Sequence, residues 1–304
     1  MKVQNSFQVE KNKLYIVSTP IGNLSDMTFR AIETLKEVDL VLCEDTRVTS
    51  KLLMHFEIKA KLESYQKYNE TLKADEIISK IKDGLNVALV SDAGTPLVND
   101  PGFTLVRLAV ENEIDVVPIP GASAMLSALS ASGLVPQPFT FVGFLPKKQS
   151  EIEIVLSKYV KREETVVFYE SPLRISKTLR IMYDVLGERK CVLAREITKK
   201  FETFYRGMLS EMHELEFDER GEYVILLEGH IQTEKEQTID IDQLMGELIA
   251  SGREEKEALK IVAKKLGVHK SEVYKAYKIK WVDVVLFYKI SYNDNELNHT
   301  LKKI

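Results

Sequence analysis

From residue 13 to residue 131 short apolar, β-branched runs alternate with segments of helical periodicity, and this alternation restricts the fold more than any other feature of the chain. Strands are expected at 13–18, 40–43, 62–65, 87–91 and 115–119. Between them Met27, Ala31, Leu35 and Val38 repeat every three to four residues, with Asp26 as a candidate cap, and 50–56, 72–82, 103–113 and 124–131 read as further helices. Strands that are apolar on both faces and separated by helices pair in parallel and need helices on both sides. An α/β domain with a mostly parallel sheet is therefore expected over residues 1–135.

Around Pro136-Gln137-Pro138 the pattern changes. Strands are expected at 139–144, 165–169, 191–194, 201–206 and 223–227, with helices at 152–159 and up to residue 186. Several of these strands follow one another without a long helix between them, which implies a mixed or antiparallel sheet and a second α/β domain over residues 136–229. Residues 230–240 are polar and read as a linker. Helices at 241–250, 254–266 and 271–279 make a small bundle over residues 240–280. Its join, 263–274, reads either as a helix-turn-helix or as an ordinary helical hairpin with Gly267 at the turn. Residues 281–304 carry no assignable role.

With 304 residues, 44% of them hydrophobic and 29% charged, the chain suits a globular protein of two domains, each able to bury a core. No apolar run approaches the roughly 18 residues of a membrane-spanning helix, and residues 1–12 have no apolar stretch of the kind a secretory signal needs, so a cytoplasmic protein without a membrane partner is expected. Cys43 and Cys191 each sit in an apolar run and read as buried free thiols. The five histidines show no ligand spacing, so no metal site is expected. Net charge is −4, but residues 253–280 hold nine Lys or Arg against four Glu, a net of +5 that leaves −9 on the rest. A basic terminal module on an acidic body is compatible with RNA binding, and equally with a solvated helical face.

Residues 89–102 carry the most unusual loop: Asp92 and Asp100, Gly94 and Gly102, Pro96 and Pro101, between an apolar strand and a helix. Loops leaving the carboxyl ends of strands line the crevice of an open α/β sheet, and two prolines make this one stiff. The turns at 19–23 and 119–123 are its counterparts after other strands. None carries the Gly-x-Gly-x-x-Gly of a dinucleotide site or a P-loop lysine signature. Carboxylates with backbone amides suit a zwitterionic nucleoside better than a polyphosphate, and S-adenosylmethionine is such a ligand.

Seven ordered motifs sharpen this. Residues 18–24 (Ser-Thr-Pro-Ile-Gly-Asn-Leu), 44–47 (Glu-Asp-Thr-Arg), 90–96 (Val-Ser-Asp-Ala-Gly-Thr-Pro), 118–124 (Pro-Ile-Pro-Gly-Ala-Ser-Ala), 144–146 (Phe-Leu-Pro), 169–172 (Tyr-Glu-Ser-Pro) and 194–200 (Ala-Arg-Glu-Ile-Thr-Lys-Lys) together closely resemble the ribosomal RNA small subunit methyltransferase I family of the tetrapyrrole methylase (class III) superfamily. The resemblance runs from about residue 14 to 229 and more weakly to about 279. It implies two α/β domains of the tetrapyrrole methylase type with S-adenosylmethionine in the cleft between them and a small C-terminal helical bundle. It further implies a homodimer and 2′-O-methylation of a cytidine ribose in the decoding centre of 16S rRNA, in the small ribosomal subunit. By the same match the cofactor contacts fall on Pro20, Gly22, Asp92, Gly94, Thr95, Val98, Ser123, Ala124, Glu170 and Ala194. RNA-facing candidates are Arg47, Lys147, Lys148, Arg174 and Lys200, with Glu196 as proton acceptor and Lys199 and Arg195 holding the phosphate that sets the ribose. Four positions depart from the family pattern: Ala122 stands for a proline, Leu173 for a histidine, and Tyr65 and Tyr68 for histidines, which argues against a catalytic histidine. Two rivals keep part of this reading: a corrinoid or porphyrinogen C-methylase of the same fold, and a non-catalytic assembly factor of the small subunit.

Overall fold

The computed structural model describes residues 3–6, 12–66, 70–231, 241–266 and 269–279. The first sheet is built from β1 (Lys13–Val17), β2 (Leu40–Cys43), β3 (Lys61–Ser64), β4 (Val87–Val90) and β5 (Asp115–Ile119) in the order β3-β2-β4-β1-β5. All its pairings are parallel. β2 and β4 are buried along their whole length, as strands between two helical layers must be. Helices α1 (Phe29–Glu37), α2 (Thr46–His55), α3 (Glu70–Lys82) and α4 (Phe103–Glu111) supply the layers. Two cores result. Leu14, Leu42, Ile77, Leu89 and Leu105 pack on one side, and Val17, Leu35, Val41, Leu53 and Val90 on the other.

The second sheet runs β6-β7-β10-β8-β9, from β6 (Phe139–Phe144), β7 (Thr165–Glu170), β8 (Lys190–Arg195), β9 (Thr203–Met208) and β10 (Tyr223–Leu227). β6 and β7 are parallel, whereas β10 is antiparallel to both β7 and β8, and β8 to β9. Helices α6 (Gln149–Ser157) and α7 (Ile175–Leu186) cover one face with Ile152, Leu156, Leu179 and Met182, together with the short α8 (Leu209–Met212). The other face packs on α5 (Ala124–Ser132), whose Ala128 and Leu129 meet Val167, Val192 and Val224. So α5 belongs by packing to the second sheet, although it closes the run of alternating elements in the first. Met1–Ile231 form one compact unit.

The second unit, Gln232–Ile304, contains α9 (Ile241–Ala250), α10 (Glu255–Leu266) and α11 (Lys270–Ile279). Met245, Leu259, Val262, Leu266 and Val273 give it a core of its own. Gly267, on which the helix-turn-helix reading rests, and the tail 281–304 lie outside the described residues.

Two local expectations are corrected, and one element was not foreseen. Asp26 does not cap α1; it ends a 3-10 turn, and the Thr28 hydroxyl accepts from the Ala31 N–H at 3.1 Å instead. α2 begins four residues earlier than its apolar periodicity, because Asp45 caps it by accepting from the Arg47 N–H. The four-residue α8 is too short to show a period at all. Both cysteines are free and buried, and no described helix is long and apolar enough to cross a membrane.

Candidate active site

Strand order explains why three distant turns converge. β4, β1 and β5 are neighbours, so the loops leaving their carboxyl ends lie side by side. They are pinned to one another by the backbone: the Thr19 N–H donates to the Gly94 carbonyl at 2.8 Å and the Gly94 N–H donates to the Thr19 carbonyl at 3.1 Å. The Thr19 hydroxyl donates to the Ser91 carbonyl, the Ser91 hydroxyl to the Gly94 carbonyl, and Ser18 and Thr95 share a hydroxyl contact at 3.0 Å. Such a loop is set before any ligand arrives, which lowers the entropy cost of binding.

Against these turns lies a cavity of about 380 Å³, within the roughly 300–1,000 Å³ of small-molecule sites. The first sheet contributes Ile21, Asp92, Gly94, Thr95, Val98 and Asp100, and the second Phe144, Tyr169, Ile197, Glu222 and Tyr223. Ser123 and Ala124, at the start of α5, join them.

The first wall is acidic. Glu44, at the end of β2, shares a hydrogen bond with Asp100, and Asp92 acts on both. Burial, then repulsion by Asp100 and Asp92, pushes the Glu44 carboxyl up to about 7. Burial also raises Asp100 and Asp92. Glu44 Oε1 is buried without a hydrogen-bond partner, and Asp92 accepts from the Asp45 N–H at 3.2 Å. Among the described residues no Lys or Arg pairs with Glu44, Asp92 or Asp100.

On the second wall the charges nearest the cavity are paired. The Lys199 ammonium sits 2.8 Å from Glu196 Oε1 and 2.9 Å from Glu222 Oε2, and although burial works against its charge these carboxylates hold it above its ordinary value. Its stem lies where a β-carbon on Gly22 would be, which ties the 19–23 turn to the second sheet. Arg195 pairs with Asp218 at 2.8 Å and donates to the Arg220 carbonyl. The loop after β8 holds Glu196 at φ 51° and Thr198 at φ 68°, a left-handed geometry that costs non-glycine residues about 1 kcal/mol or more each and is common where function positions a chain.

Of the expected cofactor contacts, Asp92, Gly94, Thr95, Val98, Ser123, Ala124 and Glu170 line the one cavity. Pro20 and Gly22 flank it, with Ile21 between them as the lining residue. Ala194 is fully buried in the core beneath. The Glu170 carboxylate is spent internally: it accepts from the Thr178 hydroxyl at 2.7 Å and the Ser171 N–H at 2.8 Å, and lies 3.3 Å from Arg174. Of the residues expected to carry chemistry, Glu196, Lys199 and Arg195 stand behind the lining, where Ile197 and Glu222 face the cavity. Among the RNA candidates Arg47, Lys147, Lys148 and Lys200 are exposed. Arg47 grips Asp45, and Arg174 grips the Leu145 and Pro146 carbonyls. Sequence reasoning missed Glu44 as a partner of Asp100, the aromatic wall of Phe144 and Tyr169, and Gly221 to Val224. Only the exposed position of Phe144 beside two lysines carried a local signal.

The family model described as Tetrapyrrole (Corrin/Porphyrin) Methylases matches residues 13–213. The protein called ribosomal RNA small subunit methyltransferase I in Bacillus subtilis (strain 168) is 45% identical over 275 residues, 88% of this chain and 94% of the relative. Its namesake in Streptococcus pyogenes serotype M3 (strain ATCC BAA-595 / MGAS315) is 44% identical over 284 residues, 91% of this chain and 99% of the relative. Among solved structures the methyltransferase CobJ superimposes with a TM-score of 0.55 over 72% of this chain and 95% of its own, at 19% identity, a likeness of fold. The family model spans the first sheet and β6 to β9 of the second, and the chain belongs to the tetrapyrrole methylase family, in the group whose curated members carry the name ribosomal RNA small subunit methyltransferase I.

Proposed function

We propose that this chain methylates the 2′-hydroxyl of a cytidine ribose in the decoding centre of 16S rRNA, using S-adenosylmethionine held in the cavity between the two sheets. The observation that carries the cofactor is the acidic wall. Three carboxyl groups crowd together with no cation among the described residues, and a ligand bearing positive charge would relieve that repulsion. The donor set fits: Thr95 and Ser123 offer hydroxyls and the pinned 92–95 turn offers backbone groups beside Asp92. The acceptor is supported by the name of the relatives, which specifies ribosomal RNA of the small subunit.

S-adenosylmethionine supplies an electrophilic methyl group on a sulfonium. A ribose hydroxyl is a weak acid, so a protein group must take its proton as the new bond forms. The Glu44–Asp100 pair suits that task better than Glu196. Asp100 lines the cavity and shares a hydrogen bond with a carboxyl held near neutrality, the range in which a general base works best at physiological pH. Glu196 Oε1 already accepts from Lys199 and from the Glu222 N–H, so it serves to hold Lys199 and the edge of β10. A corrinoid or porphyrinogen acceptor gains no support from the relatives' names, and a non-catalytic factor has no use for a cavity of this chemistry.

The test is transfer of labelled methyl groups to small subunits purified from cells that lack the modification, followed by mapping. Label in a cytidine nucleotide whose 3′ linkage resists alkali is the expected result. Label in an alkali-sensitive nucleotide would place the methyl on a base and end the ribose reading, and transfer to a porphyrinogen instead would favour the C-methylase.

A further inference from the structure

Phe144 is a large apolar side chain that lines the cavity and yet is 56% exposed. Its direction is set by the backbone. Pairing between β6 and β7 slips between Phe141 and Gly143, and such a bulge re-aims the side chains after it. Gly143 stands at φ 78°, a left-handed conformation that favours glycine, and a β-carbon there would come 2.9 Å from Asn99 Oδ1 in the 91–102 loop, so a larger residue would strain the backbone and displace the Asn99 amide.

The segment after Phe144 is equally fixed. Leu145 is buried, and the Arg174 guanidinium donates to the carbonyls of Leu145 at 3.1 Å and Pro146 at 2.6 Å. Arg174 is itself held by the buried Glu170, which Thr178 and Ser171 secure. The Phe144 ring meets Tyr169 in an edge-to-face contact, centroids 5.6 Å apart at 65°, and the Tyr169 oxygen accepts from the Met125 N–H. A ring that meets one aromatic neighbour and is more than half open to solvent is not explained by core packing. Lys147 and Lys148 come three and four residues later, both exposed. Lys148 meets Glu151 at 3.3 Å on the surface, a pair open enough to water to yield to a phosphate. An aromatic face beside exposed cations at a cleft is the arrangement that binds unpaired nucleic acid, the ring stacking on a base and the cations meeting phosphates.

We propose that Phe144 is the stacking platform for the base of the target nucleotide, splayed from the RNA, and that Arg174 and Glu170 are positioning residues that hold the platform. This rests on the RNA reading proposed for the same site. A nucleotide must leave its stack for its ribose to enter a cavity of this depth. The cofactor's adenine is the other flat candidate, but a cofactor with net positive charge gains nothing from Lys147 and Lys148, whereas a polyanion does.

Kinetics with unmodified small subunits and calorimetry with S-adenosylmethionine test the proposal. Phe144→Leu keeps an apolar side chain and removes the flat face, and it is expected to raise KM for the subunit about five- to a hundredfold while cofactor affinity stays within about twofold. Phe144→Trp restores KM, and the indole it introduces loses emission when subunits are added. Arg174→Gln raises KM in the same direction and leaves that emission less quenched when combined with Phe144→Trp. An unchanged KM in Phe144→Leu overturns the proposal, as does equal loss in the Leu and Trp variants. Weakened cofactor binding with KM unchanged would assign the face to adenine. If the wild-type chain transfers no label to subunits, the functional reading fails on its own account, while quenching of the introduced indole by subunits still decides the platform.

Discussion

The two walls of the cavity handle charge in opposite ways. On the first sheet's side Glu44, Asp92 and Asp100 crowd together and answer one another only by sharing hydrogen bonds and holding protons. On the second sheet's side Lys199 sits between Glu196 and Glu222, Arg195 meets Asp218, and Arg174 meets Glu170. Ion pairs with satisfied geometry hold a shape, whereas uncompensated carboxyls store repulsion that a ligand or a proton can release. The difference separates a scaffold from a reactive surface within one crevice.

The largest expected effect comes from reversing that assignment by mutation. Glu44→Gln and Asp100→Asn each remove one ionisable member of the shared pair without changing its shape. Either is expected to lower the single-turnover methylation rate by about two to four orders of magnitude. Glu196→Gln, on the scaffold wall, is expected to cost less than about tenfold, because Gln still accepts from Lys199 and the Glu222 N–H. Rapid-quench measurement with labelled cofactor checks both. A larger loss in Glu196→Gln would hand the proton to the second wall.

A smaller effect arises from the cofactor's charge. With the Glu44 carboxyl near 7, a cation placed against the wall favours its ionised form, so binding expels a proton and tightens as pH rises through that value. Calorimetry between pH 6 and 8 is expected to show affinity for S-adenosylmethionine increasing about three- to tenfold, since one proton permits at most about tenfold per pH unit. S-adenosylhomocysteine, whose sulfur is neutral, should show a flatter profile. Equal slopes for the two ligands would mean that the sulfonium does not face the acidic wall.

Breaking the scaffold wall tests the other half of the comparison. Lys199→Met keeps a stem against Gly22 and removes the ammonium, leaving Glu196, 16% exposed, without its cation. The expected loss is about 1 kcal/mol, short of the roughly 3–5 kcal/mol of a fully buried pair, because Glu222 is 75% exposed and water takes over there. Thermal melting should show a drop of a few degrees, and Glu196→Gln in the same background should recover part of it. No recovery would mean that the pair adds nothing to the fold.

How legible the molecule is from sequence differs between the two halves for a physical reason. In the first sheet the central strands β2 and β4 are apolar on both faces and each connection is a helix, so period alone marks most of the elements, and the loops that matter are contiguous: 19–23 and 91–102 each bring their own proline and backbone groups, and the second its own carboxylates. In the second sheet the site is assembled by pairing. Tyr223 stands between Glu170 and Arg195 only because β10 inserts antiparallel between β7 and β8, and nothing local in 221–224 announces it. The Glu44–Asp100 contact is of the same kind, joining residues that are far apart in the chain. Arg174 and Glu170 carry charges that sequence reading turned towards ligands; folding turned Arg174 towards the backbone of 145–146 and Glu170 towards Thr178, Ser171 and Arg174.

The smallest expected effect is on stability, and its sign distinguishes the walls most simply. Glu44 keeps its proton up to about pH 7 in the folded chain, against an ordinary value of 4.5. Between those limits the folded state binds more protons than the unfolded one, so stability falls as pH rises through this window and levels off above it. Asp92 and Asp100, also raised, act in the same sense. The paired acids act oppositely and elsewhere: Asp218, held at about 2 by Arg220 and Arg195, contributes stability that is lost only in strong acid. The melting temperature of the wild-type chain should therefore decline from pH 5 to pH 8, by a few degrees at most because Glu44 remains partly exposed to water. Glu44→Gln should flatten that decline, while Asp218→Asn should leave its slope unchanged. A Glu44→Gln profile parallel to wild type across this range would mean that Glu44 ionises in the folded chain as freely as in the unfolded one, and the acidic wall would then hold no proton to give up.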